Sequence, residues 1–143
     1  MTDPSPVAIV MIEDDEGHAR LIEKNIRRAG IANPIRRFAD GTAALAFLTD
    51  APGFAGTALV LLDLNLPDMS GTEILARIKT DARLKRTPVV VLTTTDDRQE
   101  IARCYDLGAD AYITKPVCDE NFAVAIGQLG VLLAAMRVPD SSL

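Results

Sequence analysis

Four apolar runs in this 143-residue chain each finish on a side chain able to do chemistry. Ala58–Leu62 leads into Asp63, which opens the segment Asp63-Leu-Asn-Leu-Pro67, and Val7–Ile12 leads into Glu13-Asp14-Asp15. Pro88–Leu92 leads into Thr93-Thr94-Thr95, and the short run Ala111–Thr114 leads into Lys115-Pro116. Strands of one open parallel sheet share their C-terminal edge, which is where such sheets place their ligands. Carboxylates, a hydroxyl and a lysine on that edge describe a site for a divalent metal and a phosphoryl group. Glu13, Asp14 and Asp63 crowd like charges, a repulsion that a cation among them relieves. Mg2+ suits a few carboxylate and carbonyl oxygens, with water and phosphate completing its octahedron. A carboxylate is a modest nucleophile, so phosphoryl transfer to Asp63 would rest on positioning and on charge balance from the metal and Lys115.

The elements that must position these groups alternate strand and helix. Continuous apolar, β-branched runs such as Val7–Ile12 suit strands covered on both faces. A first helix is expected over about Glu16–Ala29, with Leu21, Ile22, Asn25 and Ile26 spaced along it and Gly30 as its stop. Pro34–Phe38 reads as a weak second strand, and Asp40-Gly41 caps a helix carrying Ala44, Leu45, Phe47 and Leu48. Asp50–Thr57 is a turn region. Ser70-Gly-Thr-Glu73 has the spacing of a capping box and opens a helix whose inward face is Ile74, Leu75 and Ile78. Pro88–Thr93 is the fourth strand, with proline first, where its missing N–H does least harm. Asp97-Arg-Gln-Glu100 begins a helix ending at Gly108, Ala111–Thr114 is the fifth strand, and Asp119 caps a last helix to about Arg137. Asp15 is read as the cap of the first helix rather than a ligand.

Composition narrows the class. The chain is 48% apolar and 24% charged, which suits one folded domain rather than disorder. A net charge of −5 and the lack of any basic cluster argue against nucleic acid as a partner. The start Met1-Thr-Asp-Pro-Ser-Pro6 has no signal-peptide pattern, so a cytoplasmic protein is expected. Cys104 and Cys118 have no metal-ligand spacing and read as free thiols. The one histidine, His18, is expected on the first helix near the site. It lacks the partner carboxylate and bundle setting of a phosphohistidine. Arg36-Arg37 and Lys85-Arg86 read as solvated surface charge.

Taken in order, Val10-Met-Ile-Glu-Asp-Asp15, Leu62-Asp-Leu-Asn-Leu-Pro-Asp-Met-Ser-Gly71, Pro88-Val-Val-Val-Leu-Thr93 and Gly108-Ala-Asp-Ala-Tyr-Ile-Thr-Lys-Pro116 resemble the receiver domain of two-component response regulators. The resemblance implies a doubly wound α/β fold of the flavodoxin-like (βα)5 type, with five parallel strands in the order 2-1-3-4-5. The domain would span 7–138, between tails 1–6 and 139–143. The resemblance further implies Asp63 as phosphoacceptor and Mg2+ held by Asp14, Asp63 and the backbone carbonyl of Asn65, with Glu13 acting through water. Thr93 and Lys115 would contact the phosphoryl oxygens. Thr93 and Tyr112 would form the switch that remodels the surface of helix 4, strand 5 and helix 5. The Asn65 side chain and Thr95 would tune dephosphorylation. The implied partner is a sensor histidine kinase. Asn33-Pro34, Lys79-Thr-Asp81 and Thr93-Thr-Thr-Asp-Asp97 resemble the small regulators that accompany phytochrome-type kinases.

Two other classes compete with this reading. An aspartate-nucleophile phosphatase of the haloacid dehalogenase type needs an acid/base Asp two residues after its nucleophile. Here Asn65 stands at that position. A phosphorylation-independent adaptor would have no use for the acidic cluster.

The last helix is unusual, since no charged residue occurs from Asn121 to Met136. Phe122, Ile126, Leu129, Leu133 and Met136 are spaced to face the sheet. Val124, Val131, Leu132 and Ala135 then form a second apolar face, which predicts a cover. The segment is too short for a span of about 20 residues and lacks the basic residues of an interfacial helix. A homodimer through this face is the expected cover, ahead of a separate partner protein, with Gly127 and Gly130 allowing close approach; the downstream protein or phosphotransfer target is left open.

Overall fold

The apolar runs pair as one five-stranded parallel sheet. In the computed structural model the described residues are 7–50, 58–94 and 97–114, with Val124 and Gly127 beyond them. In chain order the elements are β1 (Ala8–Ile12), α1 (Glu16–Arg28), β2 (Ile35–Phe38), α2 (Gly41–Asp50), β3 (Ala58–Asp63), α3 (Gly71–Thr80), β4 (Val89–Thr93), α4 (Arg98–Asp106) and β5 (Ala111–Thr114). The strand order is β2-β1-β3-β4-β5, and every pairing is parallel. This is the expected doubly wound fold.

Burial explains why the central strands read as unbroken apolar runs. All residues of β3 and β4 are buried, because each strand has covered neighbours on both faces. One face packs Ile9, Met11, Leu59, Leu61, Val90 and Leu92 against Ala19, Ile22 and Ile26 of α1. The other packs Val10, Ile12, Val60, Leu62 and Val91 against Leu45 and Leu48 of α2 and Ile74, Leu75 and Ile78 of α3. Cys104 of α4 joins that second core. By contrast, the edge strand β2 keeps both central arginines exposed, which is why its pattern is weak in the sequence.

Three strands start one residue later than the sequence pattern predicts, β2 and β4 each directly after a proline. Pro34 and Pro88 donate no N–H to a ladder, yet each offers its carbonyl to the neighbouring strand. Ile9 N donates to Pro34 O at 2.8 Å and Val60 N to Pro88 O at 2.9 Å. The helix ends follow the expected chemistry. Gly30 and Gly108 take φ of +85° and +107°, the left-handed turns that close α1 and α4. Lys115, Thr95, Cys118, Val131, Leu132 and Ala135 lie outside the described residues, as does the helix expected beyond Asp119 apart from Val124 and Gly127. Those two are helical, and both are exposed. Among the described residues, no helix is long and apolar enough to cross a membrane.

Candidate functional site

The sheet register brings the acidic residues together at one edge. Ile12 pairs with Leu62, so the residues that follow, Glu13 and Asp63, leave adjacent strands side by side. Glu13 is wholly buried and Asp63 is 3% exposed, while Asp14 faces solvent. One carboxylate oxygen from each of Glu13, Asp14 and Asp63 falls within 4.8 Å of the others. A shared cation could therefore touch all three. The donor set is carboxylate oxygen throughout, which fits a hard divalent ion such as Mg2+. Asp14 and Asn65 also line one open cleft of about 520 Å3.

Local hydrogen bonds fix each loop. Glu13 N makes the last rung of β1, to Phe38 O at 3.0 Å. Asp15 N donates to Glu13 Oε2 at 3.2 Å, holding the buried carboxylate. Asp15 itself caps α1, its Oδ1 accepting from His18 N at 2.9 Å, as the capping reading expects. His18 is half-buried on α1. After β3, Asn65 N donates to Asp63 Oδ1 at 3.1 Å and orients that carboxylate. The loop then doubles back: Asn65 bridges Ser70, and Gly71 N donates to Leu64 O at 3.0 Å. Only glycine fits at 71, because a Cβ there would lie 2.5 Å from Leu64 Cα and 2.8 Å from the Asp63 carbonyl oxygen. Ser70 caps α3 through Glu73 N at 3.2 Å, as its spacing predicts.

Thr93 ends β4 wholly buried, with Thr94 exposed after it. It pairs in register with Thr114, the residue before Lys115. Tyr112 pairs with Val91, is half-buried, and packs against the core that includes Cys104. Burial pushes the Cys104 thiol pKa up, and nearby Glu100 adds to that.

Two residues at the site escaped the sequence reading. Arg37, taken there as solvated charge, donates from Nε to Glu13 O at 3.0 Å and from Nη2 to Asp14 O at 3.1 Å. Its neighbour Arg36 is not simply solvated either, since its guanidinium lies 4.8 Å from the Phe47 ring centroid. Asp68 reaches the N-terminus of α2, accepting from Gly41 N at 2.9 Å, Thr42 N at 2.8 Å and the Thr42 hydroxyl. Asp40 caps α2 locally as its spacing predicts, its Oδ1 accepting from Ala43 N at 2.8 Å, and Asp68 adds a second carboxylate from across the fold. Those hydrogen bonds, the Thr42 hydroxyl first, hold the Asp68 carboxyl at a pKa of about 2. The partners are 26 and 27 positions away, and nothing in the local sequence signals the contact.

Comparison with known proteins gives one consistent family. A family model described as the response regulator receiver domain matches residues 9–126. Response regulator Rcp1 of Synechocystis is 38% identical over 120 residues, covering 80% of this chain and 82% of that protein. The Mn(2+)-bound form of Rcp1 aligns over 94% of this chain and 100% of that one, at 33% identity and a TM-score of 0.78. A response regulator receiver domain from Rhodospirillum rubrum is 60% identical, with a TM-score of 0.82 over 96% of this chain and 100% of that one. The phosphorylated cyanobacterial phytochrome response regulator RcpA is 32% identical, with a TM-score of 0.78 over 96% of this chain and 99% of that one.

Proposed function

The chain belongs to the response regulator receiver domain family, and from that premise we propose that it accepts a phosphoryl group on Asp63 from a sensor histidine kinase. The observation that carries this reading is the convergence of Glu13, Asp14 and Asp63 within 4.8 Å at the carboxyl edge of the sheet. In the transfer, an Asp63 carboxylate oxygen bonds to phosphorus as the phosphorus–nitrogen bond of a phosphohistidine breaks, and the imidazole leaves with its electron pair. Asp14, Asp63 and the Asn65 carbonyl would hold Mg2+, with Glu13 acting through water, and the ion would supply charge neutralisation for the phosphoryl oxygens. The protein's own part is positioning. The Asn65 N–H fixes one Asp63 oxygen, and the Leu64–Gly71 contact fixes the turn that follows it. Thr93 offers its hydroxyl to a phosphoryl oxygen once the group is in place, and Lys115 adds a second positive charge. The Asn65 side chain and Thr95 would tune the hydrolysis of the acyl phosphate.

The readout is a population shift. Movement of Thr93 toward the phosphoryl group makes room for Tyr112 to turn inward, and the surface of α4, β5 and the last helix changes with it. Its similarity to a phytochrome response regulator supports a phytochrome-type kinase as the donor. The output is self-association through the last helix. Val124, helical and 64% exposed, and Gly127, with open space where a Cβ would stand, support an apolar outer face there.

The test of the phosphoacceptor is intact-mass measurement after incubation with acetyl phosphate. One phosphoryl group should add in Mg2+, and none with a chelator or in Asp63→Asn. Equal uptake by Asp63→Asn would remove Asp63 from the chemistry. Light scattering with Mg2+, with and without beryllofluoride, tests assembly. Charged residues in place of Val131 and Leu132 should leave a folded, phosphorylatable monomer, and an unchanged dimer would refute the interface.

A further inference from the structure

Arg37 sits on the edge strand β2, yet its side chain reaches across to the loop that follows β1. Its guanidinium uses two nitrogens on two successive carbonyls, Glu13 O at 3.0 Å from Nε and Asp14 O at 3.1 Å from Nη2. Those are the backbone oxygens of two of the three acidic residues that converge at the site. We infer that Arg37 is a positioning residue for the metal centre, fixing the two peptide planes from which the Glu13 and Asp14 carboxylates project toward Asp63. The inference rests on the reading of that cluster as a Mg2+ site.

The geometry calls for arginine in particular. A planar fork can hold two carbonyls at once in a fixed relation, whereas an ammonium is a point donor on a flexible stem. Glu13 N is tied to Phe38 O, and Asp15 turns away to cap α1, so the exposed Asp14 lies between a strand end and a helix cap. The Arg37 fork joins the Asp14 carbonyl to β2.

Charge and positioning make opposite predictions here, which makes the idea testable. A guanidinium near a dication repels it, so removing the charge alone should tighten Mg2+ binding. Loss of an outer contact that orients a ligand typically weakens metal affinity about 10–100-fold. Isothermal titration with Mg2+ should therefore show Arg37→Gln binding at least about tenfold more weakly than the native chain. Arg37→Lys, which keeps the charge and loses the fork, should also be weakened rather than unchanged. A second arm needs no metal. Amide exchange at Asp15, whose N–H donates to Glu13 Oε2, should quicken in both variants while the amides of β3 and β4 keep their protection. Arg37→Gln binding Mg2+ as tightly as the native chain, or more tightly, would overturn the proposal. Unchanged exchange at Asp15 would do so too. A native chain that binds no Mg2+ is a distinct result, which overturns the metal reading and takes this role with it.

Discussion

Gly71→Ala is the sharpest structural test of how the site is held. The added Cβ would lie 2.5 Å from Leu64 Cα and 2.8 Å from both the Asp63 carbonyl oxygen and Leu64 Cδ2. Ordinary carbon–carbon contacts lie at about 3.5–4.0 Å, so a relief of about 1 Å is required. Two of the three obstacles are backbone, and that backbone belongs to Asp63 and the residue after it. The strand cannot give way cheaply, since β3 is buried along its whole length and Leu64 N is bonded to Leu92 O at 3.3 Å. The start of α3 must move instead, at the expense of the Gly71 N to Leu64 O bond. Overpacking of this kind costs about 1–3 kcal/mol, which urea unfolding of native and variant chains resolves. Gly17→Ala is the control. Its Cβ meets only Asp15 Oδ1, at 3.2 Å, and replacing a helical glycine should offset that contact. Gly71→Ala should also slow phosphorylation by acetyl phosphate, because the Asn65 N–H and the carboxylate it orients share the displaced turn. A Gly71→Ala protein within about 0.5 kcal/mol of native stability, phosphorylated at the native rate, would refute the argument that this loop is rigid by packing.

Asp68 is held at a pKa of about 2, well below the usual carboxylate value of about 3.9. Its contribution is thus fully present above about pH 4 and is lost as pH falls toward about 2. NMR titration should show the Gly41 and Thr42 amide shifts moving with that low midpoint, and a midpoint near 4 would refute the capping role. Lys79, 13% exposed in its side chain, donates to Thr87 O at 2.7 Å and Asp110 Oδ2 at 3.1 Å, while Asp110 Oδ2 accepts from Val89 N at 2.8 Å. Lys79→Met should cost about 1.5–3 kcal/mol by urea unfolding, with phosphorylation retained because the contact lies at the opposite end of the strands. Cys104 is buried with its thiol pKa raised, so a brief iodoacetamide pulse should leave it unlabelled in the native state and label it in urea. Native labelling at the unfolded rate would contradict its place in the core.

What could be read from the sequence, and what could not, divides along one physical line. The parallel sheet buries its inner strands on both faces, so β1, β3 and β4 must be written as apolar runs. A group that ends such a run stands at the sheet edge by construction. Asp63, Glu13 and Thr93 were legible for that reason, and the caps Asp15 and Ser70 because their partners lie three residues away. Arg37 and Asp68 act instead over 23 to 27 positions, through contacts that exist only once the sheet order has put β2 beside β1 and α2 beside the loop after β3. No local pattern separates such a residue from solvated charge, and Arg37 on an exposed edge strand looks like any surface arginine. Both unread residues tie the segment from Arg37 to Thr42 to an acidic loop, one to each side of the site. The edge strand with the weakest sequence signal, together with the start of α2, thus connects the two loops that carry the carboxylates. Loss of the exposed Arg37 side chain should therefore be felt in metal affinity before it is felt in the stability of the core, because the pairing of β2 with β1 runs through the backbone and does not depend on it.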